Sequence, residues 1–207
     1  MSVDMSPKTY KPSQQTKSNI IQKAIDLFNE HGTAAVSLNS LANALAISAG
    51  NLQYHYHSKE EIIRAILEVM FHDWNAVYQE MDTESFTIDT LRSTLRINFH
   101  LVWKYRFFYR ELTALLRNDK ILAKRYAIIQ DQRLAEQEML TKQMARSTGA
   151  PPMRKTELRN MILIGWVLSN SWLSYVESTG RTVDEAAMED AVEILIQHYK
   201  PYLGKIT

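Results

Sequence analysis

The chain has 207 residues, enough for one medium domain or two small ones around a sizeable core. It has no cysteine, which excludes a disulfide scaffold and cysteine metal ligands and fits the reducing cytoplasm; its start lacks the apolar run of a secretory leader. A formal net charge of +1 excludes a broad basic field, so any nucleic-acid affinity has to come from local placement of donors.

Residues 1–15 are polar, carry Pro7 and Pro12, and read as a flexible arm. The plain reading is an inert tail. The alternative is that Lys8, Lys11 and Lys17 reach DNA phosphate or the minor groove. A first helix is predicted from about Thr16 to His31, with a wide apolar face of Ile20, Ile21, Ala24, Ile25, Leu27 and Phe28 and a stop at Gly32.

Residues 36–60 predict two short helices joined by a tight turn. Ser37 is a good N-cap, Leu38, Leu41, Ala42 and Leu45 share one face, Ala46-Ile47-Ser48 is the turn, and Ser48 caps the second helix. This is the layout of a helix-turn-helix, whose second helix lies in the DNA major groove. Leu52 points inward; Ala49, Gly50, Asn51, Gln53 and Tyr54 lie on or near the exposed face. Gly50 lets the backbone approach the groove, and Asn51 and Gln53 are able to pair with an adenine edge in bidentate fashion. Ala49, Gly50, Asn51 and Gln53 are therefore assigned to base readout, and Ser37, Asn39, Tyr54 and Lys59 to backbone positioning. Tyr56 reads as a packing residue. His55 and His57 are two apart and face different directions, with no acidic cluster beside them, so no metal site is assigned.

Ser58 caps a fourth helix to about Glu80, with Glu60 and Glu61 in its first turn. Further helices are predicted at about 88–104, 108–117, 120–146 and 154–178, with a break at Gly149-Ala150-Pro151-Pro152, and a last one from an Asp184 cap to about Tyr202. The fold class is all-α with about nine helices. The apolar stretch 161–176 contains Ser169, Asn170, Ser171 and Ser174 and reads as a buried helix, not a membrane span. No paired-carboxylate, nucleophile–base or phosphate-loop constellation points to an enzyme or to a cofactor.

The segment GNLQYHYHSKEEI resembles the signature of the TetR family of transcriptional regulators, roughly Gly-x-Leu-Tyr-x-His-Phe-x-Ser-Lys-x-x-Leu. Gly50, Leu52, His55, Ser58 and Lys59 match, Tyr56 replaces Phe conservatively, and Ile62 or Ile63 takes the final aliphatic place. IIQKAIDLFNEHG is similar to the family's first helix at Ala24, Leu27, Phe28, Glu30 and Gly32. Three residues depart from the pattern: Gln53 for a phosphate-touching Tyr, Ala46 for the turn Gly, and Val36 for Thr.

The resemblance implies a DNA-binding head over residues 16–62 and a ligand-binding and dimerisation domain over 63–207. It implies a homodimer on a near-palindromic double-stranded operator, released by a small-molecule effector. The cavity it implies is expected to be lined by Met70, Trp74, Phe99, Trp103, Leu116, Ile128, Met139, Trp166 and Asn170, with Asn170 or His100 orienting an apolar or aromatic effector. For the dimer, Gly165, Ser169, Trp172 and Val176 form one face of the eighth helix, and Ala191, Ile194, Leu195 and His198 lie on the ninth. The alternative is that this face packs within one subunit. The competing function is a helical small-molecule binding protein without promoter control.

Overall fold

Helix α1 (Gln14–His31) is the first element of the computed structural model, which describes residues 14–79 and 86–204. Its spacing of Ile20, Ile21, Ala24, Ile25 and Phe28 buries one stripe, and Gly32 ends it at φ 76°, a left-handed conformation that favours glycine. The arm as far as Ser13 lies outside the described residues, and Lys8 and Lys11 with it.

Two capped turns build the next pair, α2 (Leu38–Ala44) and α3 (Ala49–His55). Ser37 and Ser40 form a reciprocal capping box, and Ser48 accepts from the Asn51 N–H at 3.1 Å. Between them Ala46 sits at φ 54°, the one non-glycine residue in left-handed space among the described residues. Val36, Leu41, Ala42 and Leu52 are buried here. Lys59 opens α4 (Lys59–Gln79), where Ser58 Oγ accepts from the Glu61 N–H at 3.2 Å. The chain divides into two units between Ile66 and Leu67, inside α4.

The second unit holds α5 (Ile88–Lys104), α6 (Arg106–Asn118), α7 (Lys120–Ser147), α8 (Lys155–Ser178) and α9 (Glu185–Tyr199), followed by a short 3-10 turn over Lys200–Tyr202. All nine α-helices expected from periodicity are present among the described residues, which contain no strand. The sixth starts two residues before the expected 108, on Arg106. The ninth tightens at Lys200, because Pro201 lacks the N–H that would continue it. Thr87 and Asp184 cap α5 and α9 by accepting from Thr90 and Ala187 N–H groups.

The core of this unit clusters Leu91, Leu95 and Phe99 of α5 against Trp172 and Val176 of α8 and Ala187, Ala191 and Leu195 of α9. The Trp172 indole N–H donates to the Ala187 carbonyl at 2.8 Å, so the polar edge of this buried ring is satisfied. Ion pairs on the outside of the same unit join Arg125 to Glu68 and Arg96 to Glu189. Water and salt screen exposed pairs of this kind, so they add little to stability. No helix among the described residues is long and apolar enough to cross a membrane.

Candidate nucleic-acid interface and effector cavity

The two serine caps fix which face of α3 is presented. Leu52 is fully buried, whereas Ala49, Gly50, Asn51 and Gln53 are exposed and Tyr54 is 59% exposed. Nothing in the protein lies within 4 Å of where a Gly50 side chain would begin, so the backbone there is open to a close approach. Ser37, Asn39 and Lys17 are exposed as well. Lys59 differs from its assignment: its ammonium donates to the Thr33 carbonyl at 2.5 Å and to the Val36 carbonyl at 3.1 Å. In the DNA-free structure it braces the head from within. His55 is buried and its Nδ1 has no partner, and its ring stands edge-on to Tyr54. Burial raises the Tyr56 phenol above its ordinary pKa, in keeping with packing.

In the second unit, residues of all six helices from α4 to α9 line a cavity of about 150 Å³. By the measure in which one water needs about 10–15 Å³, this is room for several waters or one small molecule. Met70, Trp74, Trp166 and Asn170 line it. The other expected lining residues stand elsewhere. Phe99 belongs to the α5/α8/α9 core, Leu116 lies half-buried on α6, and Ile128 and Met139 are on the solvent side of α7. Trp103 is at the surface with the Arg106 guanidinium over its ring at 4.5 Å. His100 is exposed, its Nδ1 2.8 Å from the Arg96 carbonyl oxygen.

The polar part of the lining escaped the sequence reading. Gln137 donates to the Tyr78 hydroxyl at 2.9 Å, and Asn98 meets the same hydroxyl. The Arg133 guanidinium lies over the Tyr78 ring at 5.3 Å and over Phe71 at 4.8 Å. Burial pushes the Tyr126 phenol up to about 12 and raises Tyr78, Tyr109 and Tyr199 too, so the phenols of the lining are neutral near pH 7. The signal was present in α7: Tyr126, Gln130, Arg133 and Gln137 recur at three- and four-residue spacing and so share a face. No group of acidic, histidine or cysteine side chains among the described residues would hold a metal.

Two family models cover both units. The family described as "Bacterial regulatory proteins, tetR family" matches residues 20–66, and the TetR family described as "Bacterial transcriptional repressor" matches residues 70–205. The chain belongs to the TetR family. It is thus a transcriptional regulator with a helix-turn-helix head, and not an enzyme. It is 27% identical over 165 residues to the Biofilm operon icaADBC HTH-type negative transcriptional regulator IcaR of Staphylococcus aureus (strain Newman), covering 75% of this chain and 84% of that protein. A TetR-family regulator from Marinobacter aquaeolei VT8 superposes with a TM-score of 0.80 at 25% identity over 91% of both chains. One from Haloarcula marismortui ATCC 43049 shares the fold, with a TM-score of 0.73 at 12% identity over 91% of this chain and 98% of that one.

For this TetR-family chain the expected dimer face needs correction. Trp172, Val176, Ala191 and Leu195 are buried inside the subunit. Gly165 is buried against Tyr199, Ser169 donates to the Gly165 carbonyl at 2.9 Å, and the His198 Nε2 lies 2.9 Å from the Met161 carbonyl oxygen. The Gly165–Tyr199 and Met161–His198 contacts join α8 to α9 within one subunit, while the Ser169 bond stays inside α8. Ile194 is exposed. Leu163, Ile164, Val167 and Tyr175, also on α8, are exposed.

Proposed function

We propose that this TetR-family regulator is a ligand-responsive cytoplasmic repressor. It binds a near-palindromic operator as a homodimer and is released by a small apolar or aromatic effector. The observation that carries the DNA half is the open face of α3, where Asn51, Gln53 and Tyr54 project beside a backbone unobstructed at Gly50. Asn and Gln suit adenine edges, and Tyr54 suits a phosphate or a thymine methyl. Ser37, Asn39 and Lys17 add donors for the DNA backbone. The matched family's description and the name of the staphylococcal relative favour repression over activation.

The exposed stripe Leu163, Ile164, Val167 and Tyr175 supports the dimer, with Ile194 of α9. Four such helices, two from each copy, bury an apolar face that one subunit leaves in water. A two-fold axis then sets the recognition helices ~34 Å apart, one DNA turn. The cavity supports the effector. An effector changes DNA affinity only by the difference in its affinity for the two states of the dimer, and α4, which lines the cavity and begins in the head, is the element through which that difference is transmitted.

Operator binding is tested by DNA retention. Fluorescence anisotropy against duplexes from upstream of the gene and from a random-sequence selection is the test, with scrambled competitor present. Competitor-resistant binding of one dimer per site, lost in Asn51→Ala and Gln53→Ala, is the expected result. Retention of no sequence from either pool would overturn the operator reading.

A further inference from the structure

We propose that Arg133 is the anchor for an acidic group, so that the cavity takes a monocarboxylate with an apolar body. This rests on the effector reading and gives the effector its chemistry. Arg133 is 3% exposed and is the only charged side chain in the lining among the described residues. Guanidinium does not lose its proton in proteins, so its charge must be met in place.

The protein meets it only in part. Nη1 donates to Glu136 at 2.8 Å and Nη2 to the Phe71 carbonyl at 2.9 Å. A guanidinium has five N–H donors, so three have no acceptor among the described residues. The Glu136 side chain is 41% exposed, and water shares and screens its charge. The rings of Phe71 and Tyr78 hold the cation by their faces and accept no conventional hydrogen bond from it. A carboxylate fits what remains, because its two oxygens match the fork of an arginine. A phosphate dianion would leave one charge unmatched in a lining that is otherwise neutral.

A second vacancy lies beside the first. Among the described residues Asn98 Oδ1 is buried without a partner, although the Asn98 side chain and Gln137 both meet the hydroxyl of Tyr78, whose ring lies under Arg133. A buried acceptor of this kind wants a donor. It fits a hydroxyl or N–H on the same molecule, while Met70, Trp74 and Trp166 pack against its apolar part.

Matched pairs differing only at the acid test the proposal on the full-length protein without DNA: indole-3-acetate against indole-3-acetamide, and decanoate against decanol, at pH 7.5. Trp74 and Trp166 report binding by fluorescence, and thermal melting reports it independently. At least one acid is expected to bind no less than tenfold tighter than its neutral partner, and R133Q to erase the difference. E136Q, at an exposed carboxylate, is expected to tighten acid binding by freeing the guanidinium. Equal binding within both pairs, no binding of either acid, or an acid preference that survives R133Q would overturn the anchor. The wild-type comparison needs no variant to fold. A protein that binds the acids but no operator keeps the anchor and loses the operator reading; one that binds an operator but neither acid does the reverse.

Discussion

The Lys59 ammonium lies 2.5 Å from the Thr33 carbonyl oxygen, joining the first residue of α4 to the loop that follows α1. It also reaches the carbonyl of Val36, just before the α2 cap. The lysine of the family signature is therefore a brace. Lys59→Met is expected to destabilise the head by about 1–3 kcal/mol, the usual range for orphaning buried acceptors. The discriminating measurement is the salt dependence of operator binding by the folded variant. Losing a phosphate contact lowers the slope of log K against log salt by about one. Here the slope is expected to stay unchanged while the melting temperature falls; a slope reduced by one would return Lys59 to the DNA.

Ala46 carries the turn between the two helices at φ 54°. A side chain in this region costs about 1–2 kcal/mol, and glycine adopts it freely. Part of that gain is lost to the greater freedom of glycine in the unfolded chain. Ala46→Gly is expected to stabilise the head by about 0.5–1 kcal/mol in urea unfolding, with the recognition face unaltered. A destabilised variant would mean that neighbouring contacts, not the turn, hold Ala46.

Local capping chemistry makes the helix ends legible in the sequence: Ser37, Ser48, Ser58 and Asp184 start α2, α3, α4 and α9, and Gly32 and Gly180 end α1 and α8. The exposed face of α3 follows from its seven-residue length and the inward Leu52. The cavity is only partly legible. Aromatic density draws attention to Trp103, whose ring stacks under Arg106 at the surface, while the buried cation Arg133 looks like one more charge on a polar helix. Periodicity says that a face is packed but not against what. Gly165 and Ser169 carry a real close-approach signal that Tyr199 of the same subunit uses.

That use makes Gly165 intolerant of a side chain. A Cβ there would overlap the Tyr199 hydroxyl and lie 2.7 Å from Cζ of the ring. Gly165→Ala is expected to cost about 1–3 kcal/mol through overpacking, without the gain that Gly→Ala usually brings in a helix. Adding Tyr199→Phe removes the nearest atom and should recover part of the loss, a coupling that a double-mutant cycle in urea measures directly. Additive effects would show that the two residues do not meet.

Asp73 ties α4 to the end of α5, accepting from the Lys104 ammonium and from the fully buried Tyr105 hydroxyl, each at 2.7 Å. Burial alone would raise its pKa, but the hydrogen bonds from Lys104 and Tyr105 and the lysine charge outweigh it, and the carboxyl stays below its ordinary range. A depressed carboxyl stabilises the fold fully above the unfolded value, about 3.9, and loses that contribution as pH falls through the lower folded value. Asp73→Asn is expected to cost about 1–3 kcal/mol at pH 7, since the Tyr105 hydroxyl and Lys104 lose a charged acceptor. It should also flatten the decline in stability between about pH 5 and pH 2. Urea unfolding of both proteins across that range measures the two effects together, and an unchanged acid limb in the variant would show that other carboxylates govern it.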